Sequence, residues 1–167
     1  MTFQPTSDLR PTLNRIREAV FSMIAHLSQS HGFIDGCAGS GIMATEASSM
    51  GFDPVWAFEP HRPTRLQIEA NWSRLPVHGT LIGQSVTTIA SQSLPAIPWV
   101  IYMDPPFRER QLHRSLLETL QGCDAIQTGS VYIAESEYGD PESLPAGWKT
   151  WKRRQYGRIH LWLGVLQ

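Results

Sequence analysis

Two short segments hold residue types suited to chemistry on a bound ligand. In the first, Ile34-Asp35-Gly36-Cys37-Ala38-Gly39-Ser40-Gly41, an apolar pair (Phe33-Ile34) runs into an acid and then a loop of small residues. A helical pattern follows through Ile42, Ala44, Glu46 and Ala47, so the segment reads as strand, tight turn and first helical turn. Gly39 and Gly41 permit backbone geometry that a side chain forbids and let a ligand approach the main chain closely. Gly39-x-Gly41-x-x-Ala44 fits the dinucleotide fingerprint, and Glu59 follows about twenty residues later, after a second strand. A carboxylate there can accept hydrogen bonds from ribose hydroxyls, so the pair points to a nucleoside-containing ligand. No Gly-Lys-Ser/Thr follows, which rejects the nucleotide-hydrolysing P-loop.

The second segment, Asp104-Pro105-Pro106-Phe107, directly follows the apolar run Trp99-Val100-Ile101-Tyr102-Met103. Paired prolines end a strand. They also fix the backbone and donate no N–H, so the loop offers an acid and carbonyl oxygens as pure acceptors. Such acceptors suit an exocyclic amine with its two N–H groups, and Phe107 supplies a flat face for stacking a base taken out of its helix.

These segments need a scaffold, and the rest of the chain supplies one. Pro11-Thr12 is expected to open an amphipathic helix with Leu13, Ile16, Val20, Phe21, Ile24 and Leu27 on its apolar side, capped by Thr12 or Asn14. Strands are expected at 55–59, 79–82, 99–103, 131–134, 149–155 and 158–165, besides the one entering Asp35. Helices are expected at 64–75, after Pro60 and Pro63, and at 108–120, with a small one near 86–90. Residues 138–147 read as an irregular excursion. Strand–helix alternation implies a parallel sheet covered on both faces, with the last two strands as an antiparallel edge. Ligands of such sheets bind beyond the carboxyl ends of the strands, where this reading puts Asp35, Glu59 and Asp104.

The 167 residues suit one domain, residues 10–167, behind a flexible lead-in at 1–9. A net charge of -1 argues against a basic coat for non-specific nucleic-acid binding, although not against a local basic face. Twelve of the fourteen basic residues are Arg, which favours directional recognition of phosphate. Cys37 and Cys123 are too few for a disulfide framework, so a reduced, cytoplasmic setting is expected. The six histidines include no His-x-x-x-His pair, and no metal site is expected. Neither a signal peptide nor a membrane-length apolar stretch is visible.

The motifs together resemble the RsmD-like family of 16S rRNA (guanine-N2)-methyltransferases. The resemblance runs from Arg10 to the C-terminus. It rests on Arg10-Pro11-Thr12 with Arg15-x-Arg17-Glu18-Ala19-Val20-Phe21, the Asp35–Gly41 loop, Glu59 and Asp104-Pro105-Pro106-Phe107. Tyr132-Ile133-Ala134-Glu135-Ser136-Glu137 and Tyr156-Gly157-Arg158 resemble the family's later blocks. The acid-Pro-Pro-aromatic motif is common to many amino-methylating enzymes, whereas the Arg-Pro-Thr block is far more family-specific.

The resemblance implies a Rossmann-like class I methyltransferase fold, with a mostly parallel seven-stranded sheet, and S-adenosylmethionine as cofactor. Asp35, Gly36, Cys37, Ala38, Gly39, Gly41, Glu59, Pro60, Gln84 and Ser85 would line the cofactor, and Asp104, Pro105, Pro106 and Phe107 would form the catalytic loop. Arg10, Thr12, Arg15, Phe107, Arg108 and Arg158 would meet the substrate, and Arg153 and Arg154 are weighed between phosphate contact and edge-strand protection. The expected partner is 16S rRNA or the assembled small ribosomal subunit, with the enzyme a monomer. Family members usually begin with a basic β-hairpin; nine residues precede Arg10 here, a departure that bears on rRNA affinity. The alternatives are an amino-methyltransferase acting on DNA adenine or a protein amide, a catalytically inactive RNA- or cofactor-binding scaffold, and a nicotinamide-dependent dehydrogenase. The last leaves Asp104–Phe107 unexplained. A cytosine-C5 methylase is rejected because neither cysteine lies in a Pro-Cys site.

Overall fold

A computed structural model describes residues 9–105, 111–137 and 144–167, with the side chains of 9–13 and of residue 111 outside that description. Seven strands form one sheet: β1 (Gly32–Asp35), β2 (Val55–Phe58), β3 (Gly79–Ile82), β4 (Trp99–Met103), β5 (Val131–Ser136), β6 (Trp148–Tyr156) and β7 (Ile159–Leu166). Their spatial order is β3-β2-β1-β4-β5-β7-β6. The first five strands pair in parallel, and β7 and β6 close the sheet antiparallel. This is the expected Rossmann-like methyltransferase architecture. The central strands β1 and β4 are buried along their whole length, as their unbroken apolar runs require, and β3 and β6 at the edges are largely exposed.

Helices cover both faces. On one, α1 (Leu9–Ile24), α2 (Ile42–Ser49) and Ile68 of α3 (Arg62–Trp72) pack over Phe33, Val55, Ala57, Val100, Tyr102 and Ile133. On the other, α4 (Gln111–Gln121) and a 3-10 segment (Val86–Ser91) pack over Ile34, Phe58, Ile101, Met103 and Tyr132. In α1, Ile16, Val20, Phe21 and Ile24 are buried at helical spacing, and Phe21 stacks on Phe33 of β1 with ring centroids 5.8 Å apart.

Two helix starts differ from expectation for one reason. α1 is described from Leu9, ahead of Pro11, so Thr12 and Asn14 occupy interior helical positions and not the expected N-cap position. α3 begins at Arg62, with Pro63 inside its first turn, and stops at Trp72. The first N–H groups of a helix have no intrahelical acceptor, so proline is tolerated there. Pro11 and Pro63 therefore lie within helix starts and do not mark boundaries ahead of them. The expected excursion at 138–147 lies mostly outside the described residues.

Candidate active site

Strand register explains how distant acids meet. Asp35 pairs with Ala57 on one side and Tyr102 on the other, and Tyr102 pairs with Ile133. Side chains alternate along a strand, so two residues farther on the same face returns. Those positions are Glu59, Asp104 and Glu135. Three carboxylates thus form a row beyond β2, β4 and β5, one step above Asp35 on β1. Glu135 was not singled out from the sequence, although it ends an apolar run as Asp35 and Asp104 do.

The glycine loop is held by main-chain bonds to both neighbouring strands. Gly36 N–H donates to Tyr102 O (2.9 Å) and Ala38 N–H to Phe58 O (3.0 Å). Two carboxylates brace it further. Glu59 Oε2 accepts from Gly39 N–H (3.1 Å) and its Oε1 from His61 N–H (2.8 Å), so the acid expected at a ribose is engaged with the loop itself. Asp35 Oδ2 accepts from Ala44 N–H (3.3 Å) at the start of α2, and the Cys37 main chain also bonds this carboxylate. Its Oδ1, in a residue only 1% exposed, has no hydrogen-bond partner of good geometry among the described residues.

Gly39 and Gly41 have positive φ (51° and 74°), as their place in the loop requires. A Cβ on Gly41 would stand 2.9 Å from Ile68 Cγ2. Gly41→Ala is therefore expected to lower unfolding free energy by about 1–3 kcal/mol, through backbone strain and overpacking against α3, as read by urea denaturation.

The acids share a low-dielectric setting. Burial raises the Asp35 carboxyl to about 7, against the hydrogen bonds from Ala44 and Cys37, with Asp104 and Glu59 adding repulsion. Burial likewise raises Glu135 to about 7, with Asp104 adding to it, and the Tyr102 hydroxyl donates a hydrogen bond to Glu135 Oε2. Asp104 reaches solvent at the rim, yet the protein around it lifts its carboxyl to about 6. Among the described residues, none donates a hydrogen bond to Asp104. Such an arrangement favours a cation, and it leaves Asp104 as an acceptor without a donor among the described residues. Burial pushes His113 down to about 4; its Nδ1 lies 2.8 Å from the Tyr132 hydroxyl on the opposite face, so it is a core histidine outside the acidic row.

The sequence matches the family described as "Conserved hypothetical protein 95" over residues 1–165. The chain belongs to this family, the RsmD-like methyltransferases. Relatives named Ribosomal RNA small subunit methyltransferase D include one from Buchnera aphidicola, 25% identical over 166 residues (99% of this chain, 86% of the relative). Another, from Escherichia coli K12, is 26% identical over 154 residues (90% and 76%). The solved structure of the Escherichia coli protein yhhF has the same fold, with a TM-score of 0.82 at 22% identity over 99% of this chain and 89% of that one.

For a methyltransferase, the remaining expected positions divide by location. Cys37 and Ala38 lie in the glycine loop, and Pro60 is exposed just after Glu59. Gln84 and Ser85 follow β3 at an open depression lined by Leu81, Ile82, Gly83, Gln84, Ser91 and Gln92. There Gln84 Oε1 accepts from Gln92 Nε2 (3.0 Å) and Thr88 Oγ1 (3.1 Å), while Ser85 caps the 3-10 segment. Arg15 is exposed on α1, and Arg158 on the β6–β7 turn. Pro106, Phe107 and Arg108, and the side chains of Arg10 and Thr12, lie outside the described residues. Among the described residues, no group of His, Cys, Asp or Glu is arranged to hold a metal, and no helix is long and apolar enough to cross a membrane.

Proposed function

We propose that this chain transfers a methyl group from S-adenosylmethionine to the exocyclic N2 of a guanine in 16S rRNA of the small ribosomal subunit. The observation that carries the reading is the row of acids, with Asp104 receiving no hydrogen bond from the described residues, beside a braced glycine loop in an RsmD-like chain. The names of the relatives support rRNA as the substrate.

The residues fit the cofactor. A sulfonium and an ammonium are cations, and Asp35, with a buried oxygen lacking a hydrogen-bond partner among the described residues, sits under the loop amid further carboxylates. Asp35, Gly36, Cys37, Ala38, Gly39 and Gly41 would border the methionine part, Glu59 and Pro60 the ribose, and Gln84 and Ser85 the base. The chemistry a bound cofactor would supply here is an electrophilic methyl group with a thioether as leaving group.

The chain's part is alignment and charge. Guanine N2 is a poor nucleophile because its lone pair is delocalised into the ring. Asp104 and the Pro105 carbonyl accept its two N–H bonds, which favours a pyramidal nitrogen and directs the lone pair toward the methyl carbon. The ionised Asp104 also stabilises the positive charge that develops on nitrogen, which sheds one proton to solvent to complete the substitution. Phe107 stacks the extruded base, while Arg10, Thr12, Arg15, Arg108 and Arg158 meet the RNA. Glu135, which accepts the Tyr102 hydroxyl hydrogen bond, stands beside Asp104 in the row.

Calorimetric titration with S-adenosylmethionine and, separately, NADH tests the reading first. Saturable binding of the former alone is expected, followed by methyl incorporation into small subunits lacking the modification. NADH binding alone, or cofactor binding with transfer only to DNA or protein, would refute it.

A further inference from the structure

We propose that the edge strand β6 and its hairpin tip form a track for RNA phosphates that leads the target nucleotide to Asp104. The proposal rests on the rRNA reading above and extends its contact at Arg158 along the whole edge strand.

Charge is unevenly distributed along the chain. Residues 149–167 hold five of the fourteen basic side chains, Lys149, Lys152, Arg153, Arg154 and Arg158, and none of the fifteen acidic ones. The preceding 148 residues therefore carry nine basic against fifteen acidic groups, and the net charge of -1 hides a basic edge on an acidic body. Four of the five are largely exposed or at a turn, and Lys152 lies with Nζ 4.0 Å from the Trp151 ring centroid. None of the ion pairs among the described residues involves Lys149, Lys152, Arg154 or Arg158.

Register fixes where this edge stands relative to the acids. β7 is antiparallel to both β5 and β6, so β6 runs in the direction of β5. Glu135 pairs with Leu161, and Leu161 with Arg154; Ser136 pairs with His160, and His160 with Gln155. Arg154 is thus level with Glu135 and on the same face of the sheet. Three strand spacings separate it from Asp104, about 14 Å. Tyr156 pairs with Ile159, which leaves Gly157-Arg158 as a two-residue turn with Gly157 at φ 59°. The turn carries Arg158 past the end of β6, at the rim where Asp104 stands. From Lys149 to Arg158 the basic side chains span about 25–30 Å along the edge, the length of several nucleotides.

Acidic surroundings suit the cofactor but repel a polyanion near the reacting base, so RNA needs an anchor to one side. The open edge supplies it, with Arg forks that match phosphate geometry. Charged edge strands also deter sheet-to-sheet aggregation, and the experiment separates that role.

The test uses the full chain and the double variant Arg154→Gln/Arg158→Gln. Filter binding to an unmodified 16S rRNA transcript is measured from 50 to 300 mM salt, alongside methyl transfer and S-adenosylmethionine affinity. The variant is expected to weaken RNA binding and raise KM for RNA by about tenfold or more, and to lower the salt slope by about 1.5–2, while cofactor affinity stays within twofold. Unchanged RNA affinity and slope would overturn the proposal, as would a variant that aggregates while its monomeric fraction binds RNA normally. Equal binding of, and equal loss for, duplex DNA of the same length would overturn the commitment to RNA. If the wild-type chain binds the transcript through this edge but transfers no methyl group, the rRNA-methylation reading fails and the track stands.

Discussion

Asp104→Ala is expected to lower the rate of methyl transfer by about a hundredfold to a thousandfold while S-adenosylmethionine binds with a Kd within about threefold of wild type. The separation follows from which groups hold what. The glycine loop is braced by Asp35, Glu59 and main-chain bonds to β2 and β4, none of which passes through the Asp104 side chain. Among the described residues none donates a hydrogen bond to Asp104, so its removal takes away an acceptor meant for the substrate and leaves no donor among them unpaired. Its carboxyl is raised to about 6 by burial, and the acceptor role needs the ionised form. Wild-type kcat/KM is therefore expected to fall toward tenfold per unit as pH drops below about 6, and to level off above about 7. Single-turnover transfer to undermodified small subunits between pH 5 and 8.5 measures both effects. Loss of cofactor binding in the variant would contradict the division of roles.

Asp35→Asn is expected to stabilise the protein at pH 8 and to weaken S-adenosylmethionine binding by about tenfold or more. Burial lifts this carboxyl from 3.8 to about 7. Below about pH 4 both folded and unfolded chains hold the proton, and the shift has no effect on stability. As pH rises from about 4 to 7 the unfolded chain releases the proton first, so stability falls, and above pH 7 the full cost, about 4 kcal/mol, is present. Asparagine keeps an acceptor for Ala44 N–H and carries no charge. Its amide replaces an oxygen that already lacks a hydrogen-bond partner among the described residues and recovers only part of the cost, so a net gain of about 1–3 kcal/mol remains. His113 has the opposite sign: its pKa is depressed to about 4, so stability is lost as pH falls from about 6.5 to 4. Because His113 is common to both proteins, the variant-minus-wild-type difference cancels it. Urea titrations at pH 4.5 and 8 should show the gain only at the higher pH. The site then trades stability for affinity toward a cation, as functional sites commonly do.

Legibility in the sequence tracked how local the signal was. β3 and β4 fall at the expected residues because short apolar or β-branched runs bounded by Gly and Pro need no partner to be recognised. Asp35, Glu59 and Asp104 stand at strand ends for the same reason. Glu135 was passed over because nothing within Val131–Ser136 tells that it lies beside Asp104; that follows only from the pairing of Met103 with Ala134. Glu59 shows the same limit. The spacing from Gly39 suggested a ribose ligand, and the twenty-residue separation is also what lets its carboxylate close back on the Gly39 amide. Pro11 and Pro63 resemble boundaries in the sequence because proline stops a preceding element, yet both lie inside the first turns of α1 and α3.

The order of synthesis and the order in space part company at the end of the chain. β7, made last, lies between β5 and β6, both made earlier. Until it arrives, β5 has an open edge and β6 has no strand partner, so two of the seven strands join the sheet only with residues 159–166. Contacts between β5 and β7 close over some thirty residues of chain, including the stretch beyond Ser136, and such non-local pairing slows folding. On a translating ribosome the enzyme would thus complete its sheet only once its C-terminal strand had cleared the exit tunnel.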